Sequence, residues 1–140
     1  MCLSYSAARR DDPGTAWQLA RTASRHTPDD ARATAWAMAR VALYAARLGE
    51  REVAEVSMQR SLEIAGNLPN PKPGDTTTPW MRFFDRARLL SSTAHTTAVL
   101  KGSRAAEYAT VAVEALGPAK VKARAVVLAE AAPSGNYCRN

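Results

Sequence analysis

A chain of 140 residues is one domain's worth, long enough to bury roughly 65–70% of its unfolded surface. Alanine dominates, aromatics are only 6%, and β-branched residues form no alternating runs, which argues against a sheet and for an all-α fold. The net charge of +6 contains no block of like charges, and neither a long apolar run nor a secretion leader occurs, so a cytoplasmic protein with no membrane span is expected.

Residues 1–12 read as a flexible start. The first helix is expected from Asp12-Pro13, an acidic cap followed by proline at the first helical position, to about His26. A second starts at Thr27-Pro28-Asp29-Asp30, with acids that suit the helix dipole, and stops at Gly49. A third runs from about Glu50 to a C-cap at Gly66. Residues 67–78 hold three prolines and a glycine, which exclude regular structure and predict a loop. A fourth helix opens at Thr78-Pro79, carries Trp80, Phe83 and Phe84, and ends before Gly102. The fifth spans roughly Ser103 to Leu116, and the sixth roughly Ala119 to Ala132. Residues 133–140 read as a tail, which leaves 13–132 as one helical domain.

The joints after helices two and four are very short, so each pair is an antiparallel hairpin, and stacked hairpins make a solenoid. In the first hairpin, turn Gly49 is followed by Ala54, Met58, Ser61 and Leu62, with Met38, Val41, Ala42 and Ala45 on the preceding helix. The segment Met38 to Ala65 resembles a tetratricopeptide repeat on these residues. A second copy is expected over Phe83 to Leu116, with Gly102 as its turn and Ala106 as its small residue, one short of the usual spacing. Helices one and six then read as unpaired halves of further repeats. A second copy of the chain is one way to cover their apolar faces, and a homodimer is among the expectations.

Further motifs are Pro79-Trp80, Phe84-Asp85-Arg86-Ala87-Arg88-Leu89, Ala105-Ala106-Glu107-Tyr108-Ala109 and Leu116-Gly117-Pro118. With Val121-Lys122-Ala123-Arg124-Ala125, these resemble the C-terminal regions of actinobacterial regulators that carry an XRE-type helix-turn-helix before tetratricopeptide-like repeats. The resemblance covers about residues 14 to 132 and implies a right-handed stack of about six helices. In that family the helix-turn-helix binds DNA, while the repeats sense a peptide, a small signal or a protein partner, or mediate dimerisation. No room for a helix-turn-helix exists before residue 13, so the sensing half alone is implied, and direct DNA binding is not expected of it.

Motifs for catalysis or metal binding are lacking. His26 and His95 have no second ligand at metal spacing, and no Gly-x-Ser-x-Gly, HExxH or phosphate loop occurs. Cys2 and Cys138, near opposite ends, read as free thiols. No enzyme, cofactor or metal is expected.

In tetratricopeptide arrays the first helix of each hairpin lines the concave face. The resemblance places Trp36, Ala39, Leu43, Ala46 and Arg47 there, and puts Arg88, Ser91 and His95 on one stripe at i, i+3 and i+7 in the second copy. Such a stripe suits a peptide backbone or carboxylate, or is simply a solvated polar face. The other reading is a basic helical nucleic-acid-associated protein. Residues 67–140 hold ten basic and five acidic side chains against nine and eight in 1–66, and Arg82, Arg86, Lys101, Arg104, Lys120, Lys122 and Arg124 carry the excess.

Overall fold

The computed structural model describes residues 12–26, 29–68, 86–102 and 104–131. Six α-helices account for nearly all of them: α1 Pro13–Arg25, α2 Ala31–Arg47, α3 Arg51–Gly66, α4 Arg86–Val99, α5 Ala105–Leu116 and α6 Val121–Ala131. No strand occurs among the described residues, and the all-α fold stands. None of these helices is long and apolar enough to cross a membrane. The helix start at Thr78-Pro79, with Trp80, Phe83 and Phe84, lies outside the described residues, as do both cysteines.

Helix starts follow from local chemistry. The Asp12 carboxylate accepts a bond from the Thr15 amide at 3.0 Å, and Asp30 accepts one from Ala33 at the same distance. Each satisfies an amide that has no partner within its own helix. The cap of α2 is thus Asp30 itself, and the helix begins at Ala31, after the proline rather than on it. At the far end of α3 the cap is Asn67, one residue beyond the glycine expected to serve.

Two turns have the same hydrogen-bond pattern. After α2, Glu50 N–H donates to Ala45 O and Gly49 N–H to Ala46 O. After α4, Gly102 N–H donates to Thr97 O and Lys101 N–H to Ala98 O. Both are Schellman closures, which place one residue in the left-handed region. That residue is Gly49, with φ 81°, in the first turn and Lys101, with φ 55°, in the second. The equivalent of Gly49 is therefore Lys101, not Gly102, and α2 and α4 superpose in register at an offset of 52 positions. Gly102 is needed for another reason: a Cβ there would lie 2.7 Å from Thr97 Cγ2 and 3.3 Å from its carbonyl oxygen.

Burial repeats at the same offset. Ala35, Ala37, Val41, Ala42, Tyr44 and Ala45 are buried in α2, and Ala87, Leu89, Thr93, Ala94, Thr96 and Thr97 are buried in α4. Beyond the turn the offset falls to 51. Ala105, not Ala106, takes the buried place of Ala54, and Ala106 is exposed. The residue missing from the second copy is thus lost between the turn and α5, where it leaves α4 undisturbed.

Each helix packs on the next, and α2 also packs on α4, as α4 does on α6. Alanine dominates these contacts, with Ala33, Ala35, Ala37, Ala42 and Ala45 almost completely buried. Four buried hydroxyls are satisfied within the core, whereas the buried Ser92 Oγ has no hydrogen-bond partner. Ser61 Oγ donates to Ala35 O at 2.7 Å, bonding α3 to α2, while Thr93, Thr96 and Thr97 donate to carbonyls four residues back. Arg51 at the start of α3 donates to the Leu100 carbonyl just past α4, bridging the two hairpins.

A cationic cavity between alternate helices

The packing of α4 against both α2 and α6 leaves a concavity bordered by all three. It has a volume of about 910 Å³ and is lined by these three helices and the α5–α6 connection. From α2 come Trp36, Arg40, Leu43, Tyr44 and Arg47. From α4 come Ala87, Arg88, Ser91, Ser92 and His95. Leu116, Lys120, Lys122, Val126 and Val127 are among those on the third side.

Six of the eight residues expected on the concave face, Trp36, Leu43, Arg47, Arg88, Ser91 and His95, line this one cavity. Arg88, Ser91 and His95 keep their places because the missing residue follows the turn and so does not rotate α4. Two further expectations are corrected: Ala39 and Ala46 are 4% and 6% exposed, point into the core and do not line the cavity. Both belong to packed apolar clusters, where their small side chains let neighbouring helices approach. Leu43 and Tyr44 are themselves buried and belong to the wall rather than the rim.

Arg40 and Tyr44 were legible as i+4 and i+8 from Trp36, on the same helical stripe. The residues from α6 had no such signal, since an unpaired terminal helix does not reveal which neighbour it meets. The Arg40 guanidinium lies over the Trp36 ring, 4.1 Å from its centroid, which fixes both side chains at the cavity wall.

Bases and acids are unevenly spread over the helices, with Arg21 and Arg25 but no acid on α1. Arg32, Arg40 and Arg47 lie on α2 and Arg86 and Arg88 on α4, neither of which contains an acid; α6 has Lys122 and Arg124 against Glu130. Acids concentrate on α3 (Glu52, Glu55, Glu63) and α5 (Glu107, Glu114). There Arg51 pairs with Glu55, Arg60 with Glu63 and Arg104 with Glu107, all at the exposed surface. Of the basic excess, Lys120 and Lys122 line the cavity, Arg104 pairs with Glu107, and Arg82 lies outside the described residues. No aspartate or glutamate is among the described residues lining the cavity.

Among the described residues lining the cavity, no acid stands beside Ser91, Ser92 and His95 to orient a base. Among the described residues no three His, Cys, Asp or Glu side chains gather to hold a metal ion. The surface is suited to holding an anionic or amphipathic ligand by charge-assisted hydrogen bonds. Comparison with protein-family models, with curated proteins and with solved structures finds no match.

Proposed function

We propose that this chain is a binding module, a short right-handed tetratricopeptide-like stack that takes a peptide or a peptide segment of a partner protein into the cavity between α2, α4 and α6. The observation that carries this reading is the cavity itself. The first helix of each hairpin contributes one wall, and six of the eight residues singled out by repeat pattern converge on it. Its volume of about 910 Å³ lies at the upper end of the range for small-ligand sites, which suits several residues of extended chain. The setting carried by the resemblance, the sensing half of a bacterial transcriptional regulator acting in the cytoplasm without enzymatic activity or cofactor, is part of the proposal. It rests on the motifs quoted above.

The test is calorimetric titration of a panel of hexapeptides of mixed composition against the chain and a Ser91→Trp variant. Ser91 is half-buried on the cavity wall, so an indole there fills the space. Binding that disappears in Ser91→Trp, while helical circular dichroism is retained, supports the module. A second variant, Arg88→Ala with His95→Ala, removes polar groups without adding bulk and is expected to weaken binding in the same way. Peptide binding untouched by both variants refutes the cavity as the site.

A further inference from the structure

We propose that α6 is a docking surface for an amphipathic helix of a partner protein, one whose apolar seam is flanked on both sides by acidic residues. Three helices, α2, α4 and α6, meet the preceding part of the stack in the same register. Val41 packs with Ala16 and Ala20 of α1, Thr93 faces Met58 and Ser61 of α3 across a narrow gap, and Val127 packs with Ala109 and Ala112 of α5. The next residue on each helix turns towards the place of its own hairpin partner. Ala42 lies beside Met58 and Ser61 of α3, Ala94 lies beside Ala109 and Ala112 of α5, and both are 0% exposed. Their counterpart on α6 is Leu128, which is 53% exposed. Val121, Ala125 and Ala129 share its face, all exposed, so the stripe runs at i, i+4, i+7 and i+8. Among the described residues no helix covers α6 as α3 covers α2. At the other end of the stack, α1 turns Thr15, Gln18, Arg21, Thr22 and Arg25 to solvent and so closes that end with polar groups.

Charge identifies the occupant. At about 3.6 residues per turn, Lys122 falls on one side of this stripe and Arg124 on the other. Charges that flank a helical seam choose its partner, because opposite signs attract and like signs reject. A second copy of α6 brings the same two bases to the same two places. The glutamates of α3 and α5 are poorly placed to serve from a second copy, since Glu55, Glu63 and Glu107 already pair with Arg51, Arg60 and Arg104. The two complete hairpins show what such a seat accepts. Glutamates are carried by α3 (Glu52, Glu55, Glu63) and α5 (Glu107, Glu114), which pack on α2 and α4, helices with bases and no acid. The partner helix is of the same kind, apolar at every third or fourth position with glutamate or aspartate along both edges. Its seat is distinct from the cavity: Val121 and Lys122 border both, whereas Ala125, Leu128 and Ala129 belong to the stripe alone.

Three helical peptides of about 20 residues test the inference, each with a leucine seam flanked on both sides by glutamate, glutamine or lysine. They are titrated calorimetrically into the full chain at low and at moderate salt. The glutamate peptide is expected to bind about ten-fold more tightly than the glutamine peptide, with the advantage shrinking as salt rises. The lysine peptide is expected to bind weakest. Ala125→Gln with Leu128→Gln is expected to abolish binding without moving the thermal melt, since both side chains are exposed. Lys122→Glu with Arg124→Glu is expected to reverse the order of the charged peptides. Equal binding of all three peptides, no binding by any of them, or binding that survives the glutamine pair overturns the inference. Light-scattering mass is measured alongside. A monomer that binds the glutamate peptide one to one supports the proposal, and a dimer that the glutamine pair dissociates overturns it in favour of a second copy.

Discussion

The residue exchange at the two equivalent turns gives a prediction whose size follows from backbone geometry. Lys101 has φ 55° at the position where the first hairpin has glycine with φ 81°. A residue with a Cβ in this region costs about 1–2 kcal/mol. Glycine removes that cost but gives up roughly 0.5–1 kcal/mol because its unfolded chain is freer. Lys101→Gly is therefore expected to stabilise the fold by about 0.5–1 kcal/mol. With an unfolding entropy of about 2.1 cal/mol/K per residue, that is a rise in melting temperature of about 2–3 °C for a chain of 140 residues. Gly49→Lys is expected to lower it by a similar amount. A Cβ at Gly49 meets nothing within 4 Å, so the cost is conformational rather than steric. Thermal melts of the parent, each single variant and the double variant, followed at 222 nm, make the comparison. The double variant should melt close to the parent, because the turns lie in different hairpins. A fall in melting temperature for Lys101→Gly, or no change for Gly49→Lys, refutes the equivalence of the two turns.

Two further predictions concern the core and the first helix. Ser61→Ala removes the buried hydroxyl that donates to the Ala35 carbonyl across α2 and α3, and is expected to cost about 1 kcal/mol in urea unfolding with an unchanged denaturant slope. At the start of α1, the hydroxyl and amide of Thr15 hold the Asp12 carboxyl below its ordinary value of 3.8. A carboxylate whose folded value is depressed contributes stability above its unfolded value and loses it as pH falls through the folded one. Amide exchange in the first turn of α1 should therefore quicken as pH is taken below about 4, after correction for intrinsic rates. Asp12→Asn, which caps without titrating, should flatten that dependence; an identical profile in both proteins contradicts the capping role.

Local chemistry made the helices legible. Asp12-Pro13 announces α1, Gly49 ends the first half of a hairpin, and Gly117, with φ 73°, ends α5, because each is a backbone requirement met by the residue at hand. The second hairpin was harder to read, because a lysine occupies its left-handed position and the adjacent Gly102 serves close packing against Thr97 instead. Counting back from Gly102 shifts α4 by one residue, whereas counting from Lys101 puts Arg88, Ser91 and His95 at the places of Trp36, Ala39 and Leu43. Dividing the charge by halves of the chain hid that α2 and α4 contain no acid, which shows only when the helices are taken one by one. Lys120 and Lys122 had no pattern to place them, since nothing local states that α6 packs on α4.

The lack of acids on α2 and α4 has a consequence for encounter kinetics. Screening in physiological salt sets a Debye length of about 8 Å, comparable to the spacing between packed helices. Over such distances the bases of α2 and α4 are felt separately from the glutamates of α3 and α5. An approaching anion is therefore drawn towards the helices that carry bases and no acid while still a diameter or so of water from contact. Much of the search over orientations that slows ordinary protein association is shortened before any side chain touches. Rapid, salt-sensitive arrival with ordinary departure is the kinetic signature of such a surface, and it lets a site of modest affinity respond quickly to a change in partner concentration.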